Sequence, residues 1–269
     1  MEFDFREWLH LLTRWFHVVV GIMWIGQTYL FGWMDSSLEA VDDEELEGRL
    51  WMIHSGGFYR VEKQKLAPRK LPDVLHWFKW EAGLTWLSGF LLLWVVYYTG
   101  GALVEYGSGT SVAAATAVGL GSLAVGWLAY DALWMALGER REGLGIVLCF
   151  VAVVALAWGL TQILSGRAAF IHVGALFGTI MAANVFMRIL PGQRQLVAAA
   201  ERGERPDATL AWRAKQRSKH NTYMSVPLIF IMISSHFPAT SYGHKYNWAM
   251  LGLFVLLGWA GRRLMTALR

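Results

Sequence analysis

Histidines lie inside or at the end of three long apolar runs of this chain. The first run, RWFHVVVGIMWIGQTYLFGWM at residues 14–34, carries His17 near its beginning. His172 lies near the start of a later run, and His236 ends another. Imidazoles from separate helices can supply both axial ligands of a haem, so the pattern predicts a haem b held by two of these three histidines. The alternative is that they form hydrogen bonds between helices or to lipid headgroups.

A second group of polar side chains lies in LHWFKWEAGLTWLSGF, residues 75–90, and SKHNTYMS, residues 218–225. Such side chains can exchange protons with a ligand or bind its polar edges. An ordinary interfacial belt is the alternative, but it explains Glu81 and Asn221 less well. The candidate site residues in these stretches are His76, Lys79, Trp80, Glu81, His220, Asn221 and Thr222.

One carboxylate, Asp131, lies within another apolar run, directly after Tyr130. An ionised group at membrane depth requires a partner, and Arg188 or a histidine is predicted to supply it. A purely structural ion pair and a functional one both fit the sequence.

Composition places these residues in membrane helices or at their ends. Of the 269 residues, 55% are hydrophobic and 16% charged, whereas soluble domains have roughly 25% charged residues. The apolar runs have the length of about 20 residues that crosses a bilayer. The sequence therefore predicts an all-α integral membrane protein, a polytopic bundle of about seven transmembrane helices at residues 8–34, 77–99, 112–137, 143–164, 168–190, 222–237 and 246–265.

Two local features refine this prediction. Pro227 predicts a kink or an incomplete crossing in the sixth span. The acidic stretch VDDEELEGR, residues 41–49, lies in the charged connector 35–76 and is predicted to form an amphipathic surface helix.

The distribution of Lys and Arg predicts the orientation. With the N-terminus outside and the C-terminus inside, only four of the 24 basic residues lie outside, namely Arg6, Arg14, Arg167 and Lys245. Basic residues concentrate on the cytoplasmic side of membrane proteins, so this orientation is favoured. The net charge of +4 then follows from topology, and no nucleic-acid partner is expected.

The single cysteine, Cys149, excludes an internal disulfide and a CxxCH site. The chain therefore carries no covalently attached haem c. A small buried hydrophobic side chain is the ordinary interpretation of this cysteine.

Four stretches, read in order, resemble one family: WFHVVVGIMWIG, IHSGGFYRVEKQKLAP, LPDVLHWFKWEAGLTWLSGF and SKHNTYMSVPLIFIMISSHF. They are similar to the N-terminal membrane domain of bacterial cytochrome c-linked urate oxidase (urate hydroxylase), and the resemblance spans nearly the whole chain. It implies a protein of the bacterial inner membrane that oxidises urate to 5-hydroxyisourate and passes the electrons to a c-type cytochrome.

Longer members of that family continue into a further helix and a C-terminal cytochrome c domain. We expect residues 1–269 to form a single membrane domain without that extension. A separate periplasmic cytochrome c is the first expectation for the electron acceptor; a fragment of a longer chain and a diverged oxidation are the alternatives.

With urate as the expected substrate, the chemistry of the candidate residues suggests a role for each. Lys79 would hold the urate anion, Asn221 and Thr222 would bind its edges, and Trp80 would stack on the purine. The catalytic acid–base candidates are His76, His220 and Glu81. Electrons would then pass outward through a haem near His17 and His172.

Three alternatives remain open from the sequence. Urate binds among the outer histidines; or the chain is a membrane b-type cytochrome that oxidises a quinol or porphyrinogen; or it is a non-enzymatic purine transporter. The lack of internal repeats counts against transport.

Overall fold

The structure, a computed structural model, describes residues 4–68, 70–137 and 141–267. Within that part of the chain lie a two-stranded β-hairpin and eight α-helices: α1 (Phe5–Ser36), α2 (Trp80–Leu93), α3 (Val112–Leu137), α4 (Glu142–Thr161), α5 (Gly166–Ala183), α6 (Leu190–Glu201), α7 (Ala208–Ser234) and α8 (Asn247–Ala267). A π-helical segment joins α5 to α6, so Gly166–Glu201 is one continuous helix. Six continuous helices of the described residues are long and apolar enough to cross a membrane. The predicted all-α, multi-pass fold is therefore confirmed.

The helix α7 contains most of the sixth predicted span, 222–237, but it starts earlier in the chain than predicted. It begins at Ala208 and ends at Ser234. Its first half, AWRAKQRSKHN, is charged, which lowers the hydropathy of the helix as a whole. No span was predicted for this half, which lies between the predicted spans 168–190 and 222–237, because its charged residues interrupt the apolar pattern.

Pro227 lies inside α7 and packs against α8. The proline ring faces Gly258, where an added Cβ would lie 2.8 Å from the ring. A glycine at this position therefore lets the two helices approach closely.

π-Helical segments occur at two places that carry polar side chains. The segment Trp94–Tyr98 ends the helix that begins with α2, and the segment Asn184–Ile189 lies between α5 and α6. Such segments form i→i+5 hydrogen bonds and often occur at functional sites.

The predicted surface helix at residues 41–49 is wrong. A β-hairpin stands in its place, with β1 at Leu46–His54 and β2 at Gly57–Gln64. Leu46, Gly48 and Leu50 are buried in β1 and alternate with the more exposed Glu47 and Arg49, and this two-residue period is typical of a strand. Positive φ angles at Ser55 (49°) and Gly56 (76°) form the tight turn between the strands.

Lys63 of β2 ties the hairpin to the end of α1. Its ammonium group donates to Asp35 at 2.9 Å and lies 3.0 Å from a carboxylate oxygen of Glu47. Partial burial lowers the pKa of Lys63, but these two carboxylates raise it by more, so its pKa lies above the ordinary value.

The core of the bundle surrounds α5. This helix has eleven buried residues, and it packs on α2, α3, α4 and α7. Gly126 of α3 makes room for Leu176 of α5, because an added Cβ would lie 2.7 Å from the leucine side chain. In contrast, α1 packs mainly on α2 and buries only Thr13, Val20 and Trp24.

Candidate active site

Tyr130 of α3 is the centre of a buried polar network. Its hydroxyl group lies 2.8 Å from His220 Nδ1 and accepts a hydrogen bond from Asn184 Nδ2 at 3.2 Å. The three side chains belong to α3, α7 and the π-helical segment after α5. The tertiary fold therefore brings together residues that are far apart in the sequence.

The network continues through two asparagines. Asn184, fully buried, also donates to Asn221 Oδ1 at 2.8 Å. Asn221 in turn donates to the Met181 carbonyl at 3.0 Å. Asn184 Oδ1 is enclosed and has no hydrogen-bond partner. These contacts fix the orientation of both amides beside Tyr130.

An ion cluster lies next to this network. Asp131 pairs with Arg188, as predicted, and also with Arg217, whose Nη2 lies 2.9 Å from Asp131 Oδ1. Arg217 is only 3% exposed, and its guanidinium group lies 4.9 Å from the centroid of the Tyr130 ring. Two arginines against one carboxylate leave a net positive charge behind Tyr130.

A cavity of about 680 Å³ opens beside His220, between α3, α4, α5, α7 and α8. This volume is within the range of small-molecule sites, roughly 300–1,000 Å³. Its walls are mainly apolar and include Trp134, whose ring centroid lies 4.2 Å from that of His220. Lys219, Arg263 and Glu142 also line the cavity, with Lys219 and Glu142 2.8 Å apart. These three groups add a further net positive charge.

His220 lines this cavity, and its two ring nitrogens differ in their contacts. Nε2 is enclosed and has no hydrogen-bond partner among the described residues, while Nδ1 is bound to Tyr130. A tyrosine hydroxyl can donate or accept, so His220 can carry its proton on either nitrogen and keep this partner. Nε2 can therefore donate to an anion in one tautomer and accept a proton in the other.

Thr222, another predicted binding residue, does not reach the cavity. Its hydroxyl group donates to the Ser218 carbonyl at 3.0 Å, within α7. Its side chain therefore satisfies the backbone of its own helix.

The candidate residues of α2 lie apart from the cavity lining. Glu81 accepts a hydrogen bond from Gln27 of α1 at 3.0 Å. The Lys79 ammonium group lies 5.2 Å from the Trp80 ring centroid, and Trp80 and His76 are exposed. The two sequence stretches predicted as one constellation thus form two separate groups in the described structure. Their catalytic roles remain predictions.

The three histidines predicted to bind haem have different surroundings. His17 Nδ1 lies 3.0 Å from the Ser88 hydroxyl, at the interface of α1 and α2. His172 is fully buried, with Nδ1 donating to the Ala168 carbonyl at 2.7 Å. His236 is exposed after the end of α7. Among the described residues, no cluster of three or more His, Cys, Asp or Glu could hold a metal ion.

The packing around His172 does not fit an axial haem ligand. Its Nε2 is 2.8 Å from the Tyr98 hydroxyl group, and an added Cβ on Gly119 would lie 2.6 Å from the same nitrogen. Both neighbours occupy the space that an iron atom and a porphyrin ring require. We therefore assign no step to haem, and haem b remains a prediction.

Three residues of the network were not predicted as site residues. Tyr130 was noted only as the neighbour of Asp131, and Arg217 only as a basic residue of a connector. Asn184 is the residue with the clearest signal, since an amide in the apolar stretch MAANVFM requires a buried partner.

The fold and this cavity define a multi-pass helical membrane protein with a half-buried histidine at a ligand-sized site. The family model described as urate oxidase N-terminal matches residues 4–268. The chain therefore belongs to the urate oxidase N-terminal family. No curated protein and no solved structure matches it.

Proposed function

We propose that this chain oxidises urate to 5-hydroxyisourate in the cavity beside His220 and passes two electrons to a periplasmic c-type cytochrome. Membership of the urate oxidase N-terminal family over residues 4–268 supports the substrate. The observation that supports the location is His220, which lines the cavity and whose enclosed Nε2 has no hydrogen-bond partner. The basic-residue distribution favours a site near the cytoplasmic face of the bacterial inner membrane.

The cavity suits a planar anion. Trp134 and the apolar walls can cover the faces of the purine, since aromatic side chains bury large flat areas. The excess of cationic groups at Lys219, Arg263 and Arg217 favours a negative ligand over a neutral one. With its proton on Nδ1 and directed at the Tyr130 hydroxyl group, His220 then accepts a hydrogen bond at Nε2 from an N–H group on the edge of the urate anion.

The reaction balances with water and the cytochrome. Urate and one water molecule yield 5-hydroxyisourate, two protons and two electrons, and two ferric haems of the acceptor become ferrous. A proton has to leave the substrate as its electrons leave. His220 and Tyr130 form the hydrogen-bonded pair that can take up this proton at Nε2 and shift another between Nδ1 and the tyrosine oxygen.

The test uses the purified full chain in nanodiscs, without oxygen, with urate and a soluble ferric c-type cytochrome. We expect urate to disappear, two cytochromes to be reduced per urate, and both changes to be lost in His220→Gln. A well-folded wild-type protein that leaves urate unchanged with this cytochrome and with ferricyanide would refute the proposal.

A transport assay separates the enzyme from a purine transporter. Proteoliposomes that accumulate unaltered urate, with no product formed in the presence of ferric cytochrome, would favour transport. The enzyme predicts formation of product whether or not urate crosses the membrane.

A further inference from the structure

Arg262 of α8 is a buried cation outside the candidate active site. It is 7% exposed, and its guanidinium group lies 5.1 Å from the centroid of the Tyr29 ring in α1. Its Nε and Nη1 atoms are enclosed and have no hydrogen-bond acceptor. No carboxylate of the described residues pairs with it. The part of the chain that the structure describes supplies a stacking surface for this cation but no counter-charge.

A buried guanidinium group without an acceptor is strongly unfavourable. Cation–π stacking on Tyr29 offsets only part of the lost hydration. The remaining N–H groups therefore call for an anionic acceptor from outside the chain. Buried polar atoms without partners in native proteins commonly mark a bound water or ion.

The site lies at a junction of three helices near the end of α8. The Tyr29 hydroxyl group is 3.3 Å from the Ser225 hydroxyl group, which connects α1 to α7. Arg262 precedes the end of α8 at Ala267 by five residues, about 8 Å along the axis. In a spanning helix this is the depth of the lipid headgroups.

α1 is the most loosely packed of the three helices at this junction. α8 packs closely on α7 and α4, whereas α1 and α8 are not among the closely packed pairs of described helices. Gly32 faces the arginine without a side chain, since an added Cβ would lie 3.6 Å from Arg262 Nη2. On the same face of α1 as Tyr29, Ile22 and Val18 are 66% and 51% exposed. An apolar surface thus continues from the cation toward the middle of the predicted span.

We propose that Arg262 binds the phosphate group of an anionic phospholipid at the junction of α1, α7 and α8. Arginine presents its donors in a planar fork that matches a phosphate group. The Tyr29 ring holds the guanidinium group by cation–π stacking, and the acyl chains lie along Ile22 and Val18. Basic pockets between helices bind lipid headgroups in this way.

The test compares wild type, Arg262→Met and a matched control, Arg263→Met, in nanodiscs. One set contains phosphatidylcholine alone, and the other contains equal parts of phosphatidylcholine and phosphatidylglycerol. Phosphatidylglycerol is expected to raise the midpoint of thermal unfolding of wild type and of Arg263→Met by about 2–4 °C or more. Arg262→Met should lose most of this rise, because Arg263 is exposed and lies on another face of the helix.

Two results would overturn the assignment. An equal rise in wild type and Arg262→Met would mean that the lipid acts through general surface charge. An equal stabilisation of detergent-solubilised wild type by inorganic phosphate would mean that a free anion, and not a lipid, occupies the site.

A measurement on wild type alone covers the case in which Arg262→Met does not fold. Native mass spectrometry after delipidation should show one retained phosphatidylglycerol per chain, with phosphatidylcholine lost. A chain that retains neither lipid, or both equally, would contradict the proposal.

Discussion

Replacement of Asp131 by Asn tests the ion cluster beside the candidate active site. The substitution keeps the size of the side chain but removes the one negative charge between Arg188 and Arg217. The two arginines are not equivalent, because the side chain of Arg188 is 38% exposed and that of Arg217 is 3% exposed. After the substitution, water can solvate Arg188, whereas Arg217 remains a buried cation without a partner carboxylate.

The expected loss in free energy of unfolding follows from the exposure of each arginine. Loss of the exposed pair costs about 0–1 kcal/mol. Loss of the partner of a buried charge costs about 3–5 kcal/mol. We therefore expect Asp131→Asn to lower the free energy of unfolding by about 3–5 kcal/mol, which corresponds to a fall of roughly 6–20 °C in the unfolding midpoint.

The assay is thermal unfolding of the detergent-solubilised protein, followed by intrinsic fluorescence. Arg188→Gln is the control and should lose no more than about 1 kcal/mol. The double variant Asp131→Asn, Arg217→Met should regain most of the stability, because it removes the unpaired buried charge. A double variant as unstable as Asp131→Asn, or an Asp131→Asn no less stable than Arg188→Gln, would refute this reasoning.

Further predictions concern packing and chemistry. Gly119→Ala should lower the free energy of unfolding by about 1–3 kcal/mol, because its methyl group would collide with His172. Gly121→Ala is the control, since open space surrounds this position two residues along the same helix, and thermal unfolding should show no such loss for it. His220→Gln should reduce the rate of urate oxidation by about 10²–10⁴-fold, since it removes the proton acceptor, while the protein remains folded by size-exclusion chromatography. Tyr130→Phe should reduce this rate by a smaller factor and shift its pH profile, since His220 keeps its place but loses its hydrogen-bond partner; an unchanged profile would contradict the pairing.

The helices could be predicted from the sequence because membrane depth imposes a simple pattern. Runs of about 20 apolar residues located the spans to within a few residues in most cases. α7 and the hairpin were the exceptions, each for a local reason. The first half of α7 is polar on most sides, and β1 begins in an acidic stretch whose alternating Leu46 and Leu50 were not recognised.

The candidate site could be predicted only in part. His220 and Asn221 were identified because their polarity is unusual beside an apolar run. Their partners Tyr130 and Asn184 lie 90 and 37 residues away in the chain. Pairings at such distances depend on how the helices pack, and a single sequence contains no direct record of that packing.

An experimental structure of the chain in nanodiscs with urate bound under anaerobic conditions tests the central claim most directly. We predict density for the purine in the cavity lined by Trp134, with one polar edge within hydrogen-bond distance of His220 Nε2. Urate bound on the opposite side of the bundle, among His10, Arg14 and Arg167, with the cavity beside His220 empty of it, would contradict the account.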